Sequence, residues 1–283
     1  MSQIYYRDTK TIEDAPEYQA GLLHFLYETA FGRMMLHLMV ARPWFSKLRG
    51  IYQNSRLSRR DIAPFMKKYG VSVENPLQFA SFNEFFIRQK EVVAESDDPS
   101  LLTAVADSKL RYYPITDDLQ LSLKHSVYDL ADVLEDAELA ERFRGGTCIV
   151  FRLTVDDYHR YHFVDDGKLI SQKQIPGLLH TVRPISEKYK VYTRNTRTVS
   201  LLSTDHFGEV VQIEVGALLV GKIVNHPRTT FRKLEEKGYF EFGGSTVVLL
   251  LNKPVQFDDD IVRMNASEIE TKVRAGERIG ILC

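Results

Sequence analysis

Five short runs rich in β-branched residues or leucine constrain this chain most: 119–123, 147–154, 168–175, 210–224 and 246–251. Each is set off by Gly, Pro, Asn or Asp, the pattern of strands between turns. The part ahead of them has a different period. Apolar residues recur at helical spacing in 20–45, in 59–69 (where Ser58 is positioned to cap and Gly70 to terminate) and in FASFNEFFIRQ at 79–89. The last of these places Phe82, Phe85 and Phe86 on one face, with Ser81 and Glu84 spaced as a capping box. One further helix is expected over 127–143, from Val127, Leu130, Leu134 and Ala137, with Gly145 and Gly146 ending it. The polar stretch 91–100 reads as a linker. The expected fold class is therefore α+β: a helical N-terminal region over 1–95, then a β-rich catalytic domain over 96–283.

Charge divides the chain again. The total is only −1, which argues against nucleic acid as a partner. Residues 42–68 nevertheless hold eight Lys/Arg against Asp61 alone, a net +7, whereas 91–143 carry a net −9. A basic block of that kind suits an anionic surface. It follows the most apolar part of the sequence, AGLLHFLYETAFGRMMLHLMVARPWF (20–45). His24, Glu28, Arg33 and His37 interrupt that stretch, so it does not read as a membrane span. His24 and Glu28 fall on one side of a helix and Arg33 and His37 on about the opposite side, which predicts a break near Gly32 and a stop at Pro43. Two readings of the segment are open: a helical hairpin in the core, or helices lying in a membrane interface. Cys148 and Cys283 cannot form a disulfide scaffold, and the opening MSQIYYRD does not resemble a secretion signal.

Three clusters carry residues capable of chemistry. TVDDYHRYHFVDDG (154–167) brings His159 and His162 three positions apart; GLLHTVRP (177–184) and VGKIVNHPR (220–228) each hold one histidine. Two imidazoles can serve as acid and base, and no set of further ligands at metal-binding spacing accompanies them. A fourth feature is FGGSTVVLLL (242–251), a glycine pair and a serine leading straight into an apolar strand. Neither the G-x-S-x-G elbow nor a phosphate loop is present. The bare Gly244 leaves its carbonyl open to close approach by the Ser245 hydroxyl.

In order and spacing, FNEFFIR (82–88), VADS (105–108), DYHRYH (157–162), VNHPR, GGST and AGERIG resemble the phosphatidylserine decarboxylases, along most of the chain. VADS stands where that family usually has P-A-D-G, so Val105 and Ser108 depart from the pattern. GGST stands for the usual L-G-S-T. The resemblance implies a pyruvoyl enzyme that cuts itself between Gly244 and Ser245, with Asp107, His162 and Ser245 as the self-cleaving set. Two associated chains, 1–244 and 245–283, would result, the short one headed by a pyruvoyl group made from Ser245. That group would act as the electron sink for decarboxylation, with His159 or His162 as the acid that reprotonates the product carbon. The implied substrate is phosphatidylserine in an anionic membrane, which favours the interfacial reading of 20–45, a peripheral location on the cytoplasmic face, and by the family's habit a homodimer. Two alternatives stand beside it. One is a pyruvoyl decarboxylase of a soluble amino acid. The other is a non-enzymatic carrier, since VRAGERIG (273–280) resembles the barrel edge of lipoyl or biotinyl carriers; Lys253 lacks the hairpin context such a carrier needs.

Overall fold

Four of the five apolar runs contribute to one long sheet, while 119–123 pairs separately with Ser126–Asp129. The computed structural model describes residues 3–15, 20–96, 98–123, 126–182, 184–218, 222–243 and 245–282. The sheet has ten strands in the order Thr230–Phe231, Gly167–Ile175, Arg197–Thr204, Gly208–Gly216, Ser245–Leu251, Thr147–Leu153, Ser108–Pro114, Glu270–Val273, Gln3–Tyr6 and Thr11–Asp14. Neighbours are antiparallel except Gln3–Tyr6, which lies parallel to Glu270–Val273. The first strands of the chain thus belong to the sheet, and helices begin at Ala20.

Ser245–Leu251 lies at the centre, buried at every position, which is why its sequence is a continuous apolar run rather than an alternating one. Val247, Leu249 and Leu251 face a core shared with Leu153, Tyr161, Phe240 and Ala217; Val248 and Leu250 face a second core covered by Leu130, Val133, Leu134 and Ala140. The first face is overlaid by two three-stranded sheets. One joins Ile223–Asn225, Glu236–Phe240 and Arg160–His162; the other joins Val255–Phe257, Arg278–Leu282 and Leu101–Thr103. The strand carrying AGERIG is in the latter, and among the described residues the strands close no barrel. The α+β class is as expected.

Several boundaries moved for identifiable reasons. The helix expected over 127–143 is instead a strand, Ser126–Asp129, followed by Leu130–Leu134 and Ala137–Glu141. Glu135 takes a left-handed φ of 49° between the two helices, and the Asp129 and Asp136 side chains cap each one. Ser58 caps nothing: its hydroxyl donates to the carbonyls of Gln53 and Ser55 and accepts from Phe82 N, and the helix proper is Ile62–Tyr69, closed by Gly70 at φ 67°. The break in 20–45 falls at Thr29, whose hydroxyl accepts from Gly32 N at 2.9 Å. Gly32 is required for a different reason, since a Cβ there would sit 1.8 Å from the Phe25 carbonyl oxygen. Pro43 opens the helix Pro43–Gln53 rather than closing the one before it.

The helical region packs on the sheet through two aromatic-rich clusters. Tyr27 and Leu36 meet Tyr189, Val191 and Leu218. Phe65, Phe82, Phe85 and Phe86 meet Phe242, two residues ahead of Gly244. The second contact ties the helices to the approach to Ser245.

Candidate active site

Ser245 is the first residue of the central strand, in register with Gly216 on one side and Leu153 on the other. Side chains alternate along a strand, so Ser245 shares the face of Val247 and Leu249 and looks toward the small sheet that carries Tyr161 and Phe240. It is fully buried, and among the described residues its hydroxyl has no hydrogen-bond partner. An orphaned buried hydroxyl costs free energy, so its presence calls for an explanation. Gly243 holds φ 144°, a conformation reserved for glycine, which turns the chain into the strand. Gly244, the other half of the expected scissile bond, lies outside the described residues.

Ahead of this turn, Phe242 N donates to Asn83 Oδ1 at 3.3 Å, and the Phe242 ring meets Phe82 and Phe86 edge-on, each at 5.1 Å between centroids. The Arg49 guanidinium stands 5.9 Å over the other side of Phe242. The Phe-rich helix thus clamps the residue before the glycine pair.

His159 lies under the same aromatic cover, its ring 4.2 Å from that of Phe86, and its carbonyl accepts from Phe240 N at 2.9 Å. The ring is buried. Its Nδ1 lies 2.9 Å from the Asp157 carbonyl oxygen, and a carbonyl only accepts, so the proton sits on Nδ1. Nε2 then carries a lone pair and has no partner among the described residues. Burial pushes this imidazole down to about 4, so it is neutral near pH 7.

His162 is fixed by the same device. Val105 O accepts from its backbone N at 2.9 Å and from its ring Nδ1 at 3.1 Å, which leaves Nε2 as the basic nitrogen. Burial lowers its pKa as well, with the Val105 contact and the nearby Glu236 and Asp107 opposing that trend. Val105 acts through its carbonyl, which a proline would supply equally. Ser108 begins an extended strand and donates its hydroxyl to Ala106 O at 3.2 Å.

Asp107 is two residues from Val105, and its carboxylate is taken up by Lys90 Nζ at 2.6 and 2.7 Å and by Ala275 N at 2.9 Å. Ala275 belongs to AGERIG, which gives that terminal motif a place at the site. Lys90 also lies 4.6 Å over the Tyr158 ring, which is stacked at 6.5 Å on His162. The loop that carries Asp107 therefore also holds His162 through Val105, and the two lie in one electrostatic neighbourhood. Among the described residues, however, no hydrogen bond links any two of Asp107, His159, His162 and Ser245.

Residue-type reasoning passed over the lysines. Lys90 holds Asp107. Lys237 pairs with Glu214 at 2.9 Å, both buried, on the face that Ser245 shares, and Asn225 of VNHPR bonds to both. Lys109 and Lys272 grip Asp157. Neither of the last two lies in a run that the sequence marks as a strand. Cys148 is buried and its thiol is pushed up to about 12, which fits a core role; Cys283 lies outside the described residues. Among the described residues no three His, Cys, Asp or Glu side chains are grouped to hold a metal ion, and no helix is long and apolar enough to cross a membrane.

The candidate site is thus a buried serine after a glycine turn, in a chain with two buried histidines whose free nitrogens are set by backbone carbonyls. The profile of the phosphatidylserine decarboxylase family matches residues 79–281. The chain is 47% identical over 283 residues to phosphatidylserine decarboxylase proenzyme 2 of Clostridium acetobutylicum, covering 98% of this chain and 97% of that one. It is 39% identical over 292 residues to the phosphatidylserine decarboxylase proenzyme of Ruminiclostridium cellulolyticum, covering 99% and 97%. It is 37% identical over 294 residues to that of Clostridium perfringens, covering 99% of each. The chain belongs to the phosphatidylserine decarboxylase family and is an enzyme of the carboxy-lyase class. That membership sets aside the non-enzymatic carrier reading.

Proposed function

We propose that this protein decarboxylates phosphatidylserine to phosphatidylethanolamine with a pyruvoyl group that it makes from Ser245 by cutting its own Gly244–Ser245 bond. The observation that carries the reading is the Ser245 hydroxyl, buried directly after the glycine turn and without a partner among the described residues. A residue kept for packing would be apolar there, as Val247, Leu249 and Leu251 on the same face are.

In the precursor, His162 Nε2 is the base that takes the Ser245 proton, and Asp107 supports the resulting imidazolium. The Ser245 oxygen adds to the Gly244 carbonyl, the amide C–N bond breaks, and an ester joins the two residues. Elimination releases the carboxylate of Gly244, and water then displaces ammonia from position 245. Asp107 serves from its seat against Lys90 and Ala275, so its support is electrostatic.

The pyruvoyl group supplies a carbonyl that condenses with an amine and draws in electrons as CO2 leaves. The rest falls to the chain. The lone pair on His159 Nε2 accepts a proton from the incoming ammonium head group and returns it to the α-carbon after CO2 has gone. Phe86 and Phe242 keep water from that proton.

A lipid substrate needs a docking face. Leu22, Phe31, Met34, Leu38, Trp44 and Leu48 are exposed on the helices between Ala20 and Gln53, beside the basic tract. Arg49, on the same helix as Trp44 and Leu48, reaches Phe242. The exposed apolar surface would thus lie in the interface of an anionic bilayer, with the entry to Ser245 beneath it.

The test is CO2 release from vesicles containing phosphatidylserine compared with free serine. Release from the lipid alone supports the reading; turnover of free serine at an equal rate would favour a soluble amino acid as substrate.

A further inference from the structure

The DYHRYH segment has an aspartate that the scheme above leaves idle. Asp157 is buried, and its carboxylate is saturated: Oδ2 accepts from Lys109 Nζ at 2.7 Å, from Thr154 N at 2.7 Å and from the Thr154 hydroxyl at 3.0 Å, while Oδ1 accepts from Lys272 Nζ. Burial alone would raise its pKa, but the two lysines outweigh that and hold it ionised. Taking one carboxylate and two ammonium groups out of water is costly, and apolar packing would serve stability as well. The arrangement therefore calls for a reason beyond cohesion.

Its position supplies one. Asp157 N donates to Thr154 O at 2.8 Å, so residues 154–157 form a closed turn. Lys109, on Ser108–Pro114, and Lys272, on Glu270–Val273, pin that turn to two adjacent strands of the central sheet. The carbonyl of the pinned residue is the one that accepts the Nδ1 proton of His159. Phe86 fixes the face of the same ring. Tautomer and orientation of His159 thus trace back, through one peptide unit, to a carboxylate clamped by two cations.

We propose that Asp157, clamped by Lys109 and Lys272, is a positioning residue that holds His159 with Nε2 free to carry the proton of decarboxylation. The clamp acts on decarboxylation and not on self-cleavage, because His162 is held separately by Val105. This rests on the proton-carrying role given to His159 above.

The test uses full-length protein and scores each variant for self-cleavage on a denaturing gel, then for kcat and KM on phosphatidylserine in mixed micelles per mole of cut chain. His159→Ala is expected to cut normally and to lose about 100-fold or more in kcat. Asp157→Asn is expected to cut normally and to lose about tenfold in kcat with KM within about twofold. Lys272→Met, at a partly exposed side chain, is expected to show the same pattern more weakly, and it decides the matter if Asp157→Asn does not accumulate as folded protein. Wild-type kcat in Lys272→Met and Asp157→Asn, with His159→Ala inactive, would overturn the clamp alone. Cleavage and kcat falling together would also overturn it, as the mark of a purely structural role. Wild-type kcat in His159→Ala would overturn the underlying reading instead.

Discussion

The carbonyl oxygen of Val105 accepts from both the backbone nitrogen and the ring Nδ1 of His162, at 2.9 and 3.1 Å. That double contact orients the imidazole without an acidic partner and leaves its other nitrogen basic. His162→Ala is expected to stay as a single uncut band on a denaturing gel. Asp107→Asn is expected to cut more slowly but still to cut, since Asp107 makes no hydrogen bond to the ring.

Phe86 joins packing to chemistry. It is buried among Phe65, Phe82 and Phe242 and covers His159. Phe86→Ala is expected to cost about 3–5 kcal/mol of stability through the cavity it leaves. It should also reduce decarboxylation in protein that still folds and cuts. Urea unfolding gives the first quantity and turnover per cut chain the second.

Acid should weaken the fold in a defined window. His159 has an ordinary pKa of 6.5 when unfolded and about 4 in the folded protein, because burial opposes its charge. Above pH 6.5 both states hold a neutral ring. Below it the unfolded chain binds a proton that the folded chain excludes, so stability declines as pH falls toward about 4. His180, buried against Tyr189 and likewise pushed down to about 4, adds with the same sign. The urea midpoint should therefore drop between neutral pH and about 4.5, and drop less in His159→Gln. A midpoint that rises on acidification contradicts this account.

The proposed membrane face leads to a prediction independent of catalysis. Trp44→Ser combined with Leu48→Ser should abolish sedimentation with phosphatidylserine vesicles while self-cleavage continues, since both side chains are exposed. Binding by the unaltered protein should weaken in about 0.5 M salt, where charge attraction is screened. Equal sedimentation of the double variant would place the docking surface elsewhere.

The sequence was most readable where local pattern and tertiary context agree. The run VVLLL announced a fully buried strand, and the Ser81 cap, Gly70 stop and Phe82-Phe85-Phe86 face are all present. The helix over 127–143 failed because Glu135 takes a left-handed turn that its residue type does not announce, and because Val127 pairs in a strand with Ser122. At the site, DYHRYH stood out because two histidines fall within four residues, and GGST because it follows DYHRYH in the order and spacing that resemble the family. Lys109, Lys237 and Lys272 did not, because a lysine reads as surface until the fold buries it beside a carboxylate, and Lys90, which stays exposed, gave no sign of its contact with Asp107. The tautomers of His159 and His162 were equally unreadable, since both are set by backbone carbonyls that only the folded chain brings within reach.

Intact mass of the active protein tests the central claim most directly. The account predicts a 32.6 kDa chain converted to two pieces, the smaller about 4 kDa and beginning at position 245 with a pyruvoyl group in place of serine, and no such pieces from Ser245→Ala. Active protein that runs as one chain and retains an ordinary serine at position 245 would contradict it.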